Sequence, residues 1–258
     1  MAMSRRWRTG AGLLACLLVA GALVAGAAVA WKSHGSDAAS APPRPRLMLF
    51  TSLPILWNEA PDLAAMLRTD APPHWARRAL EARYTLVARD TLVAPPMDAR
   101  FLLLAQPRPL APQENVALDD WVRAGGRLLL FADPMLTADS AYGLGDRRRP
   151  QDIVLLSPIL ARWGLELRFD EGQPAGEHDA ARESAGAALP VNLPGQLAQR
   201  PGGHDAHCTI LREGLVARCR IGRGSAVIVA DAALFEPSDA DGRRAAALDA
   251  LLDQAFAG

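Results

Sequence analysis

The stretch Phe101 to Pro134 reads FLLLAQPRPLAPQENVALDDWVRAGGRLLLFADP and holds two unbroken apolar runs with one helical pattern between them. Phe101 to Ala105 (FLLLA) and Leu128 to Ala132 (LLLFA) are short and apolar at every position, as in strands buried on both faces. Pro112-Gln113-Glu114 opens a helix, because proline is tolerated in a first turn and an acid there faces unpaired N–H groups. Val116, Leu118, Trp121 and Val122 then recur at roughly helical spacing until Gly125-Gly126 stops the pattern. Strand, helix and strand joined by tight turns predict a parallel pair with a crossover helix.

The same alternation extends outward. Upstream, Leu47 to Thr51 is a buried strand, helical pieces follow around Asp62 to Arg68 and Pro73 to Arg83, and Tyr84 to Ala88 is a further strand. Downstream, a loop from Met135 to Asp152 leads to a helix near Val154 to Trp163 and a strand at Glu166 to Phe169. Gly172 to Gly203 shows little periodicity. Strands near Thr209 to Arg212, Leu215 to Ile221 and Ser225 to Ala230 precede a final helix from Asp241 to Phe256. The expected fold class is α/β, a doubly wound and mostly parallel sheet with a C-terminal β-hairpin.

The N-terminus divides differently. Residues 1–9 carry Arg5, Arg6 and Arg8, and residues 10–31 are an uncharged apolar run long enough, at about 1.5 Å per residue, to cross a hydrocarbon core of about 30 Å. The positive-inside rule keeps the basic start in the cytoplasm and sends the remainder to the periplasm or outside the cell, as a single-pass inner-membrane protein. Ala28-Val29-Ala30 leaves a second reading open, in which a signal peptidase releases the domain, although the apolar run is longer than a usual signal core. Residues 32–45 are small, polar and proline-rich, a linker, and residues 46–258 form the extracytoplasmic domain. The chain has 28 basic and 28 acidic side chains, so no net field gathers nucleic acid.

Cys208 to Cys219 reads CTILREGLVARC, and folding it about Glu213-Gly214 sets Ile210 opposite Ala217 and Cys208 opposite Cys219. An oxidising compartment then predicts a disulfide, with a pair of buried thiols as the other reading. His204 and His207 lie in a glycine-rich loop without metal-ligand spacing, so no metal is expected there. G-x-x-x-x-G-K-[ST], H-E-x-x-H and G-x-S-x-G are all absent from the sequence, which removes the usual marks of phosphate cradling, zinc peptidase and hydrolase chemistry and suggests no cofactor.

Two groups of residues are candidates for binding. Ser52, Gln106, Asp133 and Asp231 follow strand ends, where open α/β sheets form their ligand crevice; Asp133 and Asp231 can equally cap the turns they begin. Arg147, Arg148 and Arg149, after Gly143-Leu144-Gly145-Asp146, can hold an anion or a partner, or form a solvated charge run.

The run from Phe101 to Pro134, with weaker support from Leu47 to Leu53 and Trp163-Gly164-Leu165, resembles the extracytoplasmic domains of gliding-motility and ABC-transporter auxiliary proteins. Those domains share a class I glutamine amidotransferase-like, flavodoxin-like fold. The resemblance implies that Asp133 stands where an amidotransferase carries its nucleophilic cysteine, and so implies an accessory domain without that chemistry. It also implies a membrane-protein partner in a transporter or envelope complex. An enzyme or small-ligand receptor working from the crevice is the alternative.

Overall fold

A computed structural model describes residues 43–60, 62, 64, 67, 72–93, 98–180 and 187–257. The expected anchor at 10–31 and most of the helical piece expected at Asp62 to Arg68 lie outside the described residues. Among the described residues no helix is long and apolar enough to cross a membrane.

Residues Arg44–Gly258 form one compact unit. Its centre is a seven-stranded sheet built from β1 (Arg46–Thr51), β2 (Thr85–Ala88), β3 (Phe101–Ala105), β4 (Arg127–Phe131), β9 (Ala206–Leu211), β10 (Val216–Ile221) and β11 (Gly224–Val229). The order across the sheet is β2-β1-β3-β4-β11-β10-β9. The first five of these positions are parallel, and β10 and β9 continue the sheet antiparallel. The expected hairpin is therefore part of the main sheet and not an appendage to it. Short strands β5 (Leu165–Arg168) and β8 (Gln196–Gln199) pair beside it, as do β6 (His178–Asp179) and β7 (Pro190–Val191).

Leu102 to Leu104 and Leu128 to Phe131 are fully buried, so residues pointing to both sides of the sheet are covered. Helix α1 (Trp75–Arg83) packs with α4 (Arg243–Phe256), and α2 (Pro112–Arg123) packs with α3 (Ser157–Arg162). Tyr84, Phe101 and Phe256 close one end of that packing ring against ring, with the Phe101 and Phe256 centroids 4.8 Å apart. Gly125, at φ +115°, ends α2 in a conformation that favours glycine, and a Cβ on Gly126 would stand 2.4 Å from the Trp121 indole.

Two expectations need correction. The helix expected from Val154 is only Ser157–Arg162, because the Val154 N–H is drawn to the Asp133 carbonyl and Pro158 fixes the helix start later. Gly172 to Gly203 is not irregular throughout: β6, β7 and β8 lie inside it, too short to show a period.

The hairpin has the register read from the sequence, with Ile210 opposite Ala217 and Cys208 opposite Cys219. The two sulfurs are bonded, and the Cα atoms are 4.0 Å apart.

Candidate functional site

The chain leaves β1 to reach β2 on one side and then crosses back to β3 on the other, so the order reverses between β1 and β3. Strand ends splay apart at such a reversal, and the crevice outside them is where open α/β sheets take ligands. A cavity of about 840 Å³ occupies this place. Leu49 and Phe50 of β1 with Leu56 and Trp57 of the following loop give it an apolar floor and mouth. Arg89 and Arg108, just after β2 and β3, enter from one side, and Tyr142 with Arg147, Arg148 and Arg149 closes the other.

The arginine loop is held in place. The Tyr142 hydroxyl accepts from the Ala60 N–H at 3.1 Å, and Glu59 accepts from the Ser140 hydroxyl at 2.8 Å, which ties the loop to the segment after β1. Ser52 Oγ donates to the Gln106 carbonyl and accepts the Gln151 N–H at 3.0 Å. Arg149 is set by Asp152 at 2.9 Å and donates to the Tyr142 carbonyl, while Arg148 pairs with Asp146 at 2.7 Å and lies 4.2 Å over the Tyr142 ring. The Arg147 side chain is exposed and has no ion pair or hydrogen bond to any described residue.

Arg108 is anchored from behind. Both of its terminal nitrogens reach Glu114, at 2.8 and 2.9 Å, and its guanidinium lies 5.0 Å over the Phe50 ring. Glu114 is buried and also accepts the Ala111 and Leu92 N–H groups, so it starts α2 and fixes Arg108 at once. The Arg108 hydrogen bonds outweigh its burial and, with those backbone donors, hold the Glu114 carboxyl down at about 2.

Of the residues expected in the crevice, Ser52 lines the cavity; Gln106, Asp133 and Asp231 do not and are 0%, 0% and 2% exposed. They form a polar layer beneath it. The Gln106 amide donates to the Asp133 and Gln151 carbonyls and accepts the Asp133 N–H at 2.9 Å. Asp133 accepts the Met135 and Ala232 N–H groups, and Asp231 accepts those of Asn192 and Ala233. Both aspartates thus organise turns, the capping alternative, and they also tie separate loops together. Arg147, Arg148 and Arg149 share the cavity with Ser52, a meeting the sequence did not foretell. The sequence does not single out Arg89, Arg108, Tyr142 and Gln151, although an arginine one to three residues past a parallel strand is a signal that could have found the first two. His204 and His207 are exposed at the other edge of the sheet, near β9.

Burial pushes Asp133 up to about 6 against its two backbone hydrogen bonds. Burial, then the neighbouring Asp133 charge, pushes Asp231 well above the carboxylate range. An acid raised in the fold binds its proton more readily when folded, so its contribution is full below the unfolded value near 3.8 and is lost as pH rises through the folded one. Lowering the pH from about 7 to about 5 is therefore expected to raise the denaturation midpoint, and Asp231→Asn to flatten that rise. His74 works the other way, since burial lowers its value and stability falls below its unfolded 6.5. Denaturant titrations across this range check the sign, and a midpoint that falls steadily on acidification contradicts it.

No curated protein matches the chain. Among solved structures, an exo-β-1,4-mannosidase from an Opitutaceae bacterium is 15% identical, with a TM-score of 0.43, over 82% of this chain and 34% of its own. A β-galactosidase from Bacillus circulans is 11% identical, with a TM-score of 0.42, over 82% of this chain and 31% of its own. The chain thus spans about a third of the length of these enzymes. A ThuA-like protein from Bacteroides uniformis is 11% identical, with a TM-score of 0.43, over 87% of this chain and 98% of its own. Residues 44–174, half of the chain and all of the parallel core up to β5, match the ABC-transporter auxiliary family, described as an ABC-type uncharacterized transport system, and the chain belongs to that family.

Proposed function

We propose that this chain is a membrane-anchored, extracytoplasmic accessory domain of an ABC-type transport system that works by binding and not by catalysis. The observation that carries this reading is how the polar groups at the sheet's C-terminal edge are used. Asp133 and Asp231 are buried and hold backbone N–H groups, and Glu114 is held by Arg108, whereas guanidinium groups face the cavity. A carboxylate engaged in that way is poorly placed to act as a base or a nucleophile, and a row of arginines suits recognition. Membership in the auxiliary family supports the transport setting, and the apolar run at 10–31 supports anchoring.

Extraction of the full chain from its own membranes in mild detergent tests the proposal. Transporter subunits are expected to copurify in fixed proportion. A chain recovered alone, with the membrane fraction otherwise intact, overturns it.

A further inference from the structure

We infer that the cleft between β1 and β3 is a receptor site for a small organic anion with a flat apolar body. This rests on the binding reading above and adds the ligand class. Among the described residues, one acid, Asp90, lines the cavity against five arginines. The carboxylates that steady four of those arginines, Asp98, Glu114, Asp146 and Asp152, are not among the lining residues. Each guanidinium has five N–H donors in a planar fork. Arg108 spends four of its own on Glu114 and on the Pro109 and Asp90 carbonyls, whereas Arg148 gives only Nε and one Nη2 donor to Asp146, so donors remain for the cavity on Arg148. Arg147 gives none of its donors to a described residue.

The apolar half of the ligand follows from the rest of the lining. Leu49, Phe50 and Leu56 form the floor, and Trp57 stands 43% exposed at the mouth. A ring lying on Trp57 brings its carboxylate or phosphate to the arginine rim. The volume of about 840 Å³ is that of a small-molecule site and favours such a ligand over an extended acidic polypeptide.

Calorimetry on the full chain in detergent micelles tests this with naphthalene-2-carboxylate, neutral naphthalene-2-methanol, inorganic phosphate and poly-glutamate. The aromatic carboxylate is expected to bind saturably, about tenfold or more tighter than the alcohol or phosphate, and Arg147→Glu to weaken it about tenfold. Arg147→Glu breaks no hydrogen bond or ion pair within the described residues, and Trp57→Ala, expected to weaken binding several-fold, gives a second, uncharged variant. Equal binding of the alcohol, tighter binding of poly-glutamate, unchanged affinity in both variants, or no saturable binding at millimolar concentration each overturns the inference. Copurification measured on the same preparations separates the two claims. Anion binding without partners overturns the accessory reading alone, and partners without anion binding overturn this inference alone.

Discussion

Alanine in place of Asp119 is expected to cost the folded domain about 3 kcal/mol, because it strands the buried Trp163 indole N–H and takes their shared carboxylate from Arg123 and Arg162, whose side chains are 20% and 48% exposed. Asp119 is 2% exposed. Its Oδ1 accepts the Trp163 indole N–H at 2.9 Å, and its Oδ2 accepts Arg123 Nε at 2.9 Å and Arg162 Nε. Burial opposes its charge, but the hydrogen bonds from Arg123, Arg162 and Trp163 prevail and hold the carboxyl below the usual range. One side chain thus joins α2 to α3 and orients Trp163, itself 1% exposed in the core. For a domain of this size the loss corresponds to a fall in Tm of about 10 °C. Asp120, next in the chain and exposed, is the control, and Asp120→Ala should change little. Thermal unfolding of the two variants side by side decides, and equal midpoints would remove the cluster from any account of stability.

Gln106→Ala is expected to have the second large effect, about 2–3 kcal/mol, because it strands the buried Asp133 N–H and takes a partner from two carbonyls. The Asp133 N–H and the Asp133 and Gln151 carbonyls all lose their side-chain partner. Gln106 also stands at φ +45°, a conformation its own backbone bonds to Phe131 and Ser52 hold in place. Gln106→Gly relaxes that dihedral but strands the same groups, so it should recover only a small part of the loss. Since Gln151 joins Gln106 to the arginine loop, amide exchange should quicken from Arg149 to Asp152 before the rest of the sheet opens. Exchange that stays slow in this segment while global stability falls would separate the polar layer from the cavity wall.

The central sheet was legible because its strands carry the strongest signal a sequence has. Leu47 to Thr51, Phe101 to Ala105 and Leu128 to Ala132 are apolar on both faces, and only a covered parallel strand explains that. The hairpin register was legible because a tight turn leaves one pairing that keeps Cys208, Ile210, Ala217 and Cys219 on a common face. The site was half legible. Arg147 to Arg149 stood out as a charge run, yet their meeting with Arg89 and Arg108 depends on strand order, which local pattern does not encode. Asp133 and Asp231 showed the converse difficulty: a strand-end aspartate looks the same in sequence whether it faces a ligand or caps a turn. Residues such as Asn192 and Ala232, which decide that question, come from distant parts of the chain.

The pairing of β4 with β11 sets Arg127 beside Ser225 and Phe131 beside Val229. As the chain emerges from a ribosome or a translocation pore, β1 to β4 are free long before β11 follows. Until then β4, apolar from Leu128 to Phe131, has β3 on one side and an open edge on the other, a template for intermolecular pairing. Completion of the sheet awaits the whole stretch between β4 and β11, so a chain truncated before Gly224 should associate with itself or be degraded, and cells should depend on holding factors while β4 waits.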